Sequence, residues 1–375
     1  MKKTALFLIA ACLFGAAVQA VPTDEIAALR QNLAGGGVTL TDADRAVIDR
    51  FWRIALDAML LSDDPAQLVS IGRQVQQEKG TEPLSFYATG YVRAGRTHLQ
   101  TAFETVAKWE ASEKKTLVER NLMILTALLQ SPLLAELGLE RLSHADEVVR
   151  YWAVKSVAST ALAQQLTDTA TGDAVLTGTI LKALAERVGP EPSLEILRNI
   201  VVFAAMVNRE EARDILLAAA QRRIQAYMSW NVDNEQFDAV LLKAMGQIVL
   251  GERESEQRAA TARRFAELFS MLFQRYLAEP SPLTEEQKAA TAAVIAEVDN
   301  QILAKALGVP QTGVIRALQR RSGLDKEYED IFGSTVGAGK LATRLSFNYG
   351  KAPDGKVINS PPKLPTPPAP PAPQP

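Results

Sequence analysis

From Asp24 to about Phe332, apolar residues return every three or four positions. That spacing gathers them on one face of an α-helix and on neither face of a strand. Ile48, Phe51, Trp52, Ala55 and Met59 form such a stripe, with Asp44, Arg45, Asp49 and Arg53 mostly on the other side. No run of alternating β-branched residues interrupts the region. The punctuation is helical as well. Asp64-Pro65 reads as a cap followed by proline at the first helical position. Asn208 with Glu211, and Thr284 with Gln287, read as capping boxes or close relatives of them. Gly80, Gly189-Pro190 and Glu279-Pro280-Ser281-Pro282 read as stops. The expected helices span 24–34, 42–61, 65–79, 84–110, 113–130, 132–142, 146–165, 171–188, 191–207, 209–230, 234–250, 254–278, 284–307, 311–321 and 325–332.

Successive helices with short links form antiparallel hairpins, and stacked hairpins make an α-solenoid. Leu133 to Val157 reads LLAELGLERLSHADEVVRYWAVKSV. Its second half, from Asp146 through Val148-Val149-Arg150 to Ala153 and Val157, resembles the second helix of a HEAT repeat. In that family an Asp opens the helix, a Val-Arg pair follows, and an Ala faces the partner helix closely. Leu137, Leu139 and Leu142 fit the preceding helix. The resemblance covers about residues 132–160, and no neighbouring segment repeats it at a regular spacing. The fold class expected is therefore all-α: helical hairpins stacked as an irregular α-solenoid, followed by a disordered proline-rich tail. An irregular bundle containing one HEAT-like hairpin is the alternative.

The two ends differ from this body. Residues 1–20 begin with Met1-Lys2-Lys3-Thr4, continue in an apolar run from Ala5, and close on Val18-Gln19-Ala20, a small-x-small cleavage pattern. This is the layout of a Sec-type signal peptide, cut after Ala20, and the run is too short for a membrane span. The expected location is periplasmic or secreted. Cys12, the one cysteine, sits in Ile9-Ala10-Ala11-Cys12, a lipoprotein-like pattern; cleavage after Ala20 is preferred because the apolar core before Cys12 is short. The remaining chain then carries no thiol, so neither a disulfide nor a cysteine ligand can stabilise it.

The other end, 334–375, is basic and rich in Gly and Pro. Lys340, Arg344, Lys351, Lys356 and Lys363 stand against Asp354, and nine of the last fifteen residues are proline. Proline fixes φ and lacks an N–H, so this segment should be extended polyproline II. Arg344 to Tyr349 is the one short strand candidate, forming a small hairpin or docking on the body 21–333.

Charge narrows function. Lys plus Arg number 41 against 43 for Asp plus Glu, a balance unsuited to a general nucleic-acid binder. Gly333 to Leu341 imitates a phosphate-binding loop, but Ser334 and Leu341 occupy positions that need Gly and Ser or Thr, and a helix rather than a strand precedes it. His98 and His144 lack paired ligand spacing, so no metal and no cofactor is expected. Acids such as Glu210, Glu211, Asp214, Glu252, Glu254 and Glu256 fall at helix starts, where the helix dipole favours them.

Two aromatic-cationic groups remain as candidate binding residues. Tyr87, Tyr91, Arg93 and Arg96 crowd one helical region beside Phe86 and the glycines Gly90 and Gly95. Aromatic faces beside guanidinium groups suit sugars, peptides or carboxylates, and equally suit a core with snorkelling arginines. On the HEAT-like helix, Val149, Trp152, Ala153, Ser156 and Val157 form the expected buried stripe. The resemblance implies that Arg150, Tyr151 and Lys155 face a partner, whereas a plain solvated face needs no partner. Trp230 reads either as a partly exposed anchor or as a core residue at a helix end.

These readings converge on an exported scaffold that binds a protein partner or an anionic envelope polymer. The tail would contact a proline-binding groove or a membrane surface. The competing class is a helical-toroid lyase or hydrolase acting on envelope polysaccharide or peptidoglycan, which needs Tyr, His, Arg or acids converging in a cleft.

Overall fold

A computed structural model describes residues 23–33, 39–81, 85–170, 172–207, 209–251, 255–279, 281 and 283–367. The expected signal peptide with Cys12, the cap at Asn208, the acids Glu252 and Glu254, and the last eight residues lie outside them. Among the described residues the fold is all-α, without strands; the sole β pairings are isolated bridges at Gly333–Ala338 and Lys351–Val357. No described helix is long and apolar enough to cross a membrane.

The chain divides into two compact units, 1–129 and 130–375. The first holds α1 (Asp24–Leu33), α2 (Asp42–Leu61), α3 (Pro65–Glu78), α4 (Phe86–Ala107) and α5 (Glu113–Leu128). Helices here pack on the next but one, α1 on α3, α2 on α4 and α3 on α5, and α1–α2, α2–α3 and α4–α5 also pack as neighbours. That is the pattern of two stacked layers. The stripe Ile48, Phe51, Trp52, Ala55, Leu56 and Met59 is buried as its spacing requires. Trp52 anchors the layers, because its Nε1 donates to the Tyr91 carbonyl at 2.9 Å and its ring lies where a Cβ on Gly95 would stand. α2 starts in a capping box between Thr41 and Asp44, and α3 starts on Asp64, whose carboxylate accepts from Ala66 N–H behind Pro65.

The second unit repeats the layering over a longer run. It holds α6 (Ala135–Leu139), α7 (Glu147–Val157), α8 (Thr160–Thr167), α9 (Ala174–Val188), α10 (Leu194–Val207), α11 (Glu210–Met228), α12 (Glu235–Gly251), α13 (Glu256–Leu277) and α14 (Glu285–Val298). One layer runs α9, α11, α13; the other runs α8, α10, α12, α14. A π-turn at Asp299–Leu303 carries α14 into α15 (Ala304–Leu307), and α16 (Val314–Arg320), α17 (Leu324–Phe332) and α18 (Lys340–Arg344) close the unit. Thr284 and Gln287 form the expected capping box on α14.

Two helix expectations are corrected. The span 132–142 holds only a 3-10 turn at Pro132–Leu134, five residues of α6 and further turns. The span 146–165 breaks at Ser159, whose hydroxyl caps Leu162 N–H and starts α8 afresh, because Ala158 has left helical geometry. The close approach expected at Ala153 is present: a Cβ on Gly138 of α6 would overlap Ser156 Oγ and press on the Ala153 carbonyl of α7. Asp146 caps α7 through Val149 N–H at 3.0 Å.

Residues 334–367 lie against the second unit. Leu341, Ala342, Leu345 and Tyr349 are buried, and Phe347 meets Tyr349 edge-on at 5.4 Å. Arg344–Tyr349 docks rather than pairing as a strand.

The Trp52–Gly95 contact makes a direct prediction. Gly95→Ala places a methyl group within 2.4 Å of the Trp52 ring and should destabilise the first unit by about 1–3 kcal/mol. Gly178→Ala, in open space on α9, should instead stabilise the second unit by about 0.5–1 kcal/mol. Urea unfolding of both variants measures the contrast.

Candidate functional site

The tyrosines singled out on α4 face inward. Tyr87 and Tyr91 stack at 5.8 Å, and their hydroxyls donate to the carbonyls of Glu78 and Val75 at 2.7 Å each. Those carbonyls belong to the last turn of α3, where the helix offers them no amide partner. Arg30 of α1 donates to a third, Gln77, and sits 3.5 Å from the Glu78 carboxylate. Tyr87 and Tyr91 thus close a helix end in the core, and Tyr87 also reaches the wall of a neighbouring cleft. Burial, Glu78 and the neighbouring phenol push Tyr91 well up, and burial and Glu78 push Tyr87 up. Arg93 is exposed; with Phe86, Gly90, Leu40 and Asp49 it lines a shallow groove of about 540 Å³. Arg96 is half-buried and engaged. The expected cluster therefore divides between an inner pair and an outer face. His98 Nε2 lies 3.3 Å from Asp49 Oδ1.

Beside the α3 terminus opens a cleft of about 820 Å³, lined by Arg30, Gln77, Glu78, Lys79, Thr81 and Tyr87 among others. Burial pushes the Glu78 carboxyl up, with Arg30 opposing, and its Oε2 receives no hydrogen bond. Lys79 is pushed down by burial and donates to the Leu129 carbonyl.

On α7 the arrangement differs from the expected stripe. Val149, Ala153, Ser156 and Val157 are buried, but Trp152 is half-exposed. Arg150, expected to project outward, is buried. Its Nε and Nη2 donate to Glu191 at 3.0 and 3.2 Å, and its Nη1 to the carbonyls of His144 and Ala145 at 2.9 Å. The reason is Glu191, which has no solvent exposure between α9 and α10 and requires cationic partners. Arg187 supplies a second at 2.8 Å, and Ser193 N–H donates to Oε1. Tyr151 and Lys155 remain half-exposed, with Lys155 Nζ 5.9 Å from the Tyr151 ring centre and Trp152 edge-on to Tyr151 at 5.4 Å. These three form a small aromatic-cationic surface.

The same device closes the α11–α12 turn. Arg223 grips buried Asp238 through Nε and Nη2 at 2.6 and 2.8 Å, and Tyr227 donates to Asp238 Oδ2 at 2.7 Å. Arg275 of α13 pairs with Glu235 at 2.7 Å and donates to the Val232 carbonyl at 3.2 Å. These buried ionic groups are answered by one another, as structural pairs are. Arg187 and Glu191 stand four residues apart, but sequence spacing could not reveal the pairings of Arg223 with Asp238, Arg275 with Glu235 and Arg150 with Glu191, whose partners lie 15, 40 and 41 residues apart.

The turn also sets Trp230. It stands at the first position past the α11 C-cap with φ +56°; its N–H bonds the Tyr227 carbonyl, and Asn231 N–H bonds that of Ala226. This is a Schellman ending, which glycine normally supplies. The half-exposed indole donates to the Pro365 carbonyl at 3.1 Å. From α13, Gln274 Nε2 donates to the Pro362 carbonyl at 2.9 Å, and its Oε1 accepts from Leu364 N–H at 2.8 Å. A piece of the basic tail is thereby clasped by one side chain from α13 and one from the turn that follows α11.

Among the described residues, no group of three or more His, Cys, Asp and Glu is arranged to hold a metal ion. No family model matches the chain, and no curated protein or solved structure matches it either.

Burial alone would raise Glu191, but hydrogen bonds from Arg150, Arg187 and Ser193 hold its carboxyl below the ordinary value. Its stabilising effect is therefore complete above the unfolded carboxyl range, about pH 4.5, and disappears as pH falls through the lowered folded value. Glu191→Gln should destabilise the second unit at neutral pH. Its deficit against the natural chain should shrink steadily below about pH 4.5, as read by thermal melts across that range.

Proposed function

We propose that this chain is an exported helical-repeat scaffold, with residues 132–160 as a HEAT-like hairpin, that binds protein partners or an anionic envelope polymer. The leader-like residues 1–20 support export. Stacked two-layer helices support the scaffold role, because such arrays offer long surfaces on which a few aromatic and cationic anchors carry the affinity. One observation carries the reading: side chains of the helical body, Gln274 on α13 and Trp230 after α11, already hold a non-helical segment by its main-chain groups. Tyr151, Trp152 and Lys155 offer a second anchor.

The lyase or hydrolase alternative needs a tyrosine or histidine converging with acids on a cleft. Tyr91 is fully buried with its hydroxyl on the Val75 carbonyl, which weighs against it in that role.

Two measurements test the proposal. Cell fractionation with N-terminal sequencing should find a mature chain beginning at Val21 outside the cytoplasm; an uncut cytosolic chain would remove the export part. In pull-downs from envelope extract, Tyr151→Ala with Lys155→Ala should reduce recovery of specific partners while leaving the melting curve unchanged. Unaltered recovery would remove this surface from the scaffold.

A further inference from the structure

We propose that the face carrying Trp230 and Gln274 is a recognition site for proline-rich extended chains, filled in the resting molecule by residues 361–367 of its own tail. The proposal rests on the scaffold reading and adds to it the class of partner and a built-in competitor.

Three features of the contact support it. Gln274 pairs with a carbonyl and an amide two residues apart, Pro362 and Leu364. A helix uses those groups internally, whereas polyproline II leaves them free, so the contact selects an extended backbone. The Trp230 indole then takes the next carbonyl, Pro365. An aromatic N–H over a proline carbonyl is a usual way of reading such chains.

The second feature is strain. A bulky residue at φ +56° is unfavourable where glycine would cost nothing. Nothing in the Schellman ending itself requires an indole, so the penalty is balanced at the point where the side chain acts, which is the tail.

The third is register. The contact needs one residue with an N–H between a carbonyl two positions before it and a carbonyl directly after it, and prolines at those two places keep the stretch from turning helical, as in Pro362-Lys363-Leu364-Pro365. That register recurs in the sequence at Pro367-Pro368-Ala369-Pro370 and at Pro370-Pro371-Ala372-Pro373. Leu364 is the one occupant of the key position with a large apolar side chain, and it is half-buried. The partner chemistry is accordingly an extended Pro-x-Leu-Pro segment of another protein, competing with the tail.

The test uses a labelled peptide with the sequence of residues 359–367, followed by fluorescence anisotropy. A chain ending at Ser360 should bind it saturably. The full chain should bind about tenfold or more weakly, because the tethered tail is present at high effective concentration. Full-length Leu364→Pro, which removes the tail's key N–H, should bind like the shortened chain and serves if shortening harms folding. Gln274→Ala in the shortened chain, or Leu→Pro in the peptide, should weaken binding about tenfold or more. Trp230→Gly should relieve the backbone strain, holding or raising the melting temperature, and still lose affinity. Absence of binding to a shortened chain with an unchanged melt overturns the recognition site. Equal binding to full and shortened chains overturns the resting occupancy. Neither result touches the Tyr151–Lys155 surface, whose pull-down tests the scaffold reading separately.

Discussion

Stacking helices in two layers buries their ends as well as their apolar stripes. Every helix end carries amides or carbonyls without an intrahelical partner, and a buried one must be answered. Much of this structure follows from that requirement. At the end of α3 the answer comes from Tyr87, Tyr91 and Arg30. At α2 and α4 the ends stay largely at the surface, yet the first turn of α5 still serves them: Lys114 donates to the Leu61 carbonyl, and Lys115 to those of Ala107 and Trp109. At α9, Arg222 reaches the Val188 carbonyl, and at α12, Arg258 reaches that of Val249. Cations suit these positions because the helix dipole leaves its C-terminus negative.

The buried ionic groups belong to the same logic. Glu191 draws Arg150, Arg187 and the Ser193 amide around the α9–α10 turn, while Asp238 draws Arg223 and Tyr227 around the next turn of that layer. Each group gives its buried carboxylate several hydrogen-bond donors, although Arg187 Nε stays without a partner, so it specifies how the turn must close more than it adds stability. A side chain that closes a turn is not offered to a ligand. Arg150 and Tyr91 are thereby separated from Tyr151 and Lys155, which remain at the surface with no helix end to serve.

Trp230 stands between these roles. Its backbone ends α11 in the manner of a glycine, and its indole reaches the proline-rich segment. The position is legible only as an unusual residue at a helix end. That it clasps a segment 135 residues later depends on how α11 and α13 lie beside each other. The tail likewise looked unstructured in sequence because proline suppresses helix and strand signals alike. Its hold on the second unit comes from isolated contacts, such as Tyr349 in the core and Leu364 on Gln274, which have no periodicity to detect.

The sequence by itself determined the all-helical class, most helix spans, and the caps at Asp64, Asp146 and Thr284. All of these depend on residues within about one or two turns of each other, where spacing and capping act directly. The break at Ser159 escaped that reading because apolar spacing runs straight through it. Tertiary structure alone decided that Arg150 turns inward, that Trp152 turns partly outward, that Tyr87 and Tyr91 close a helix end, and that residues 361–367 are clasped. The reason is physical: a buried charge or carbonyl takes whichever partner the packing brings near, and that partner can lie anywhere along the chain.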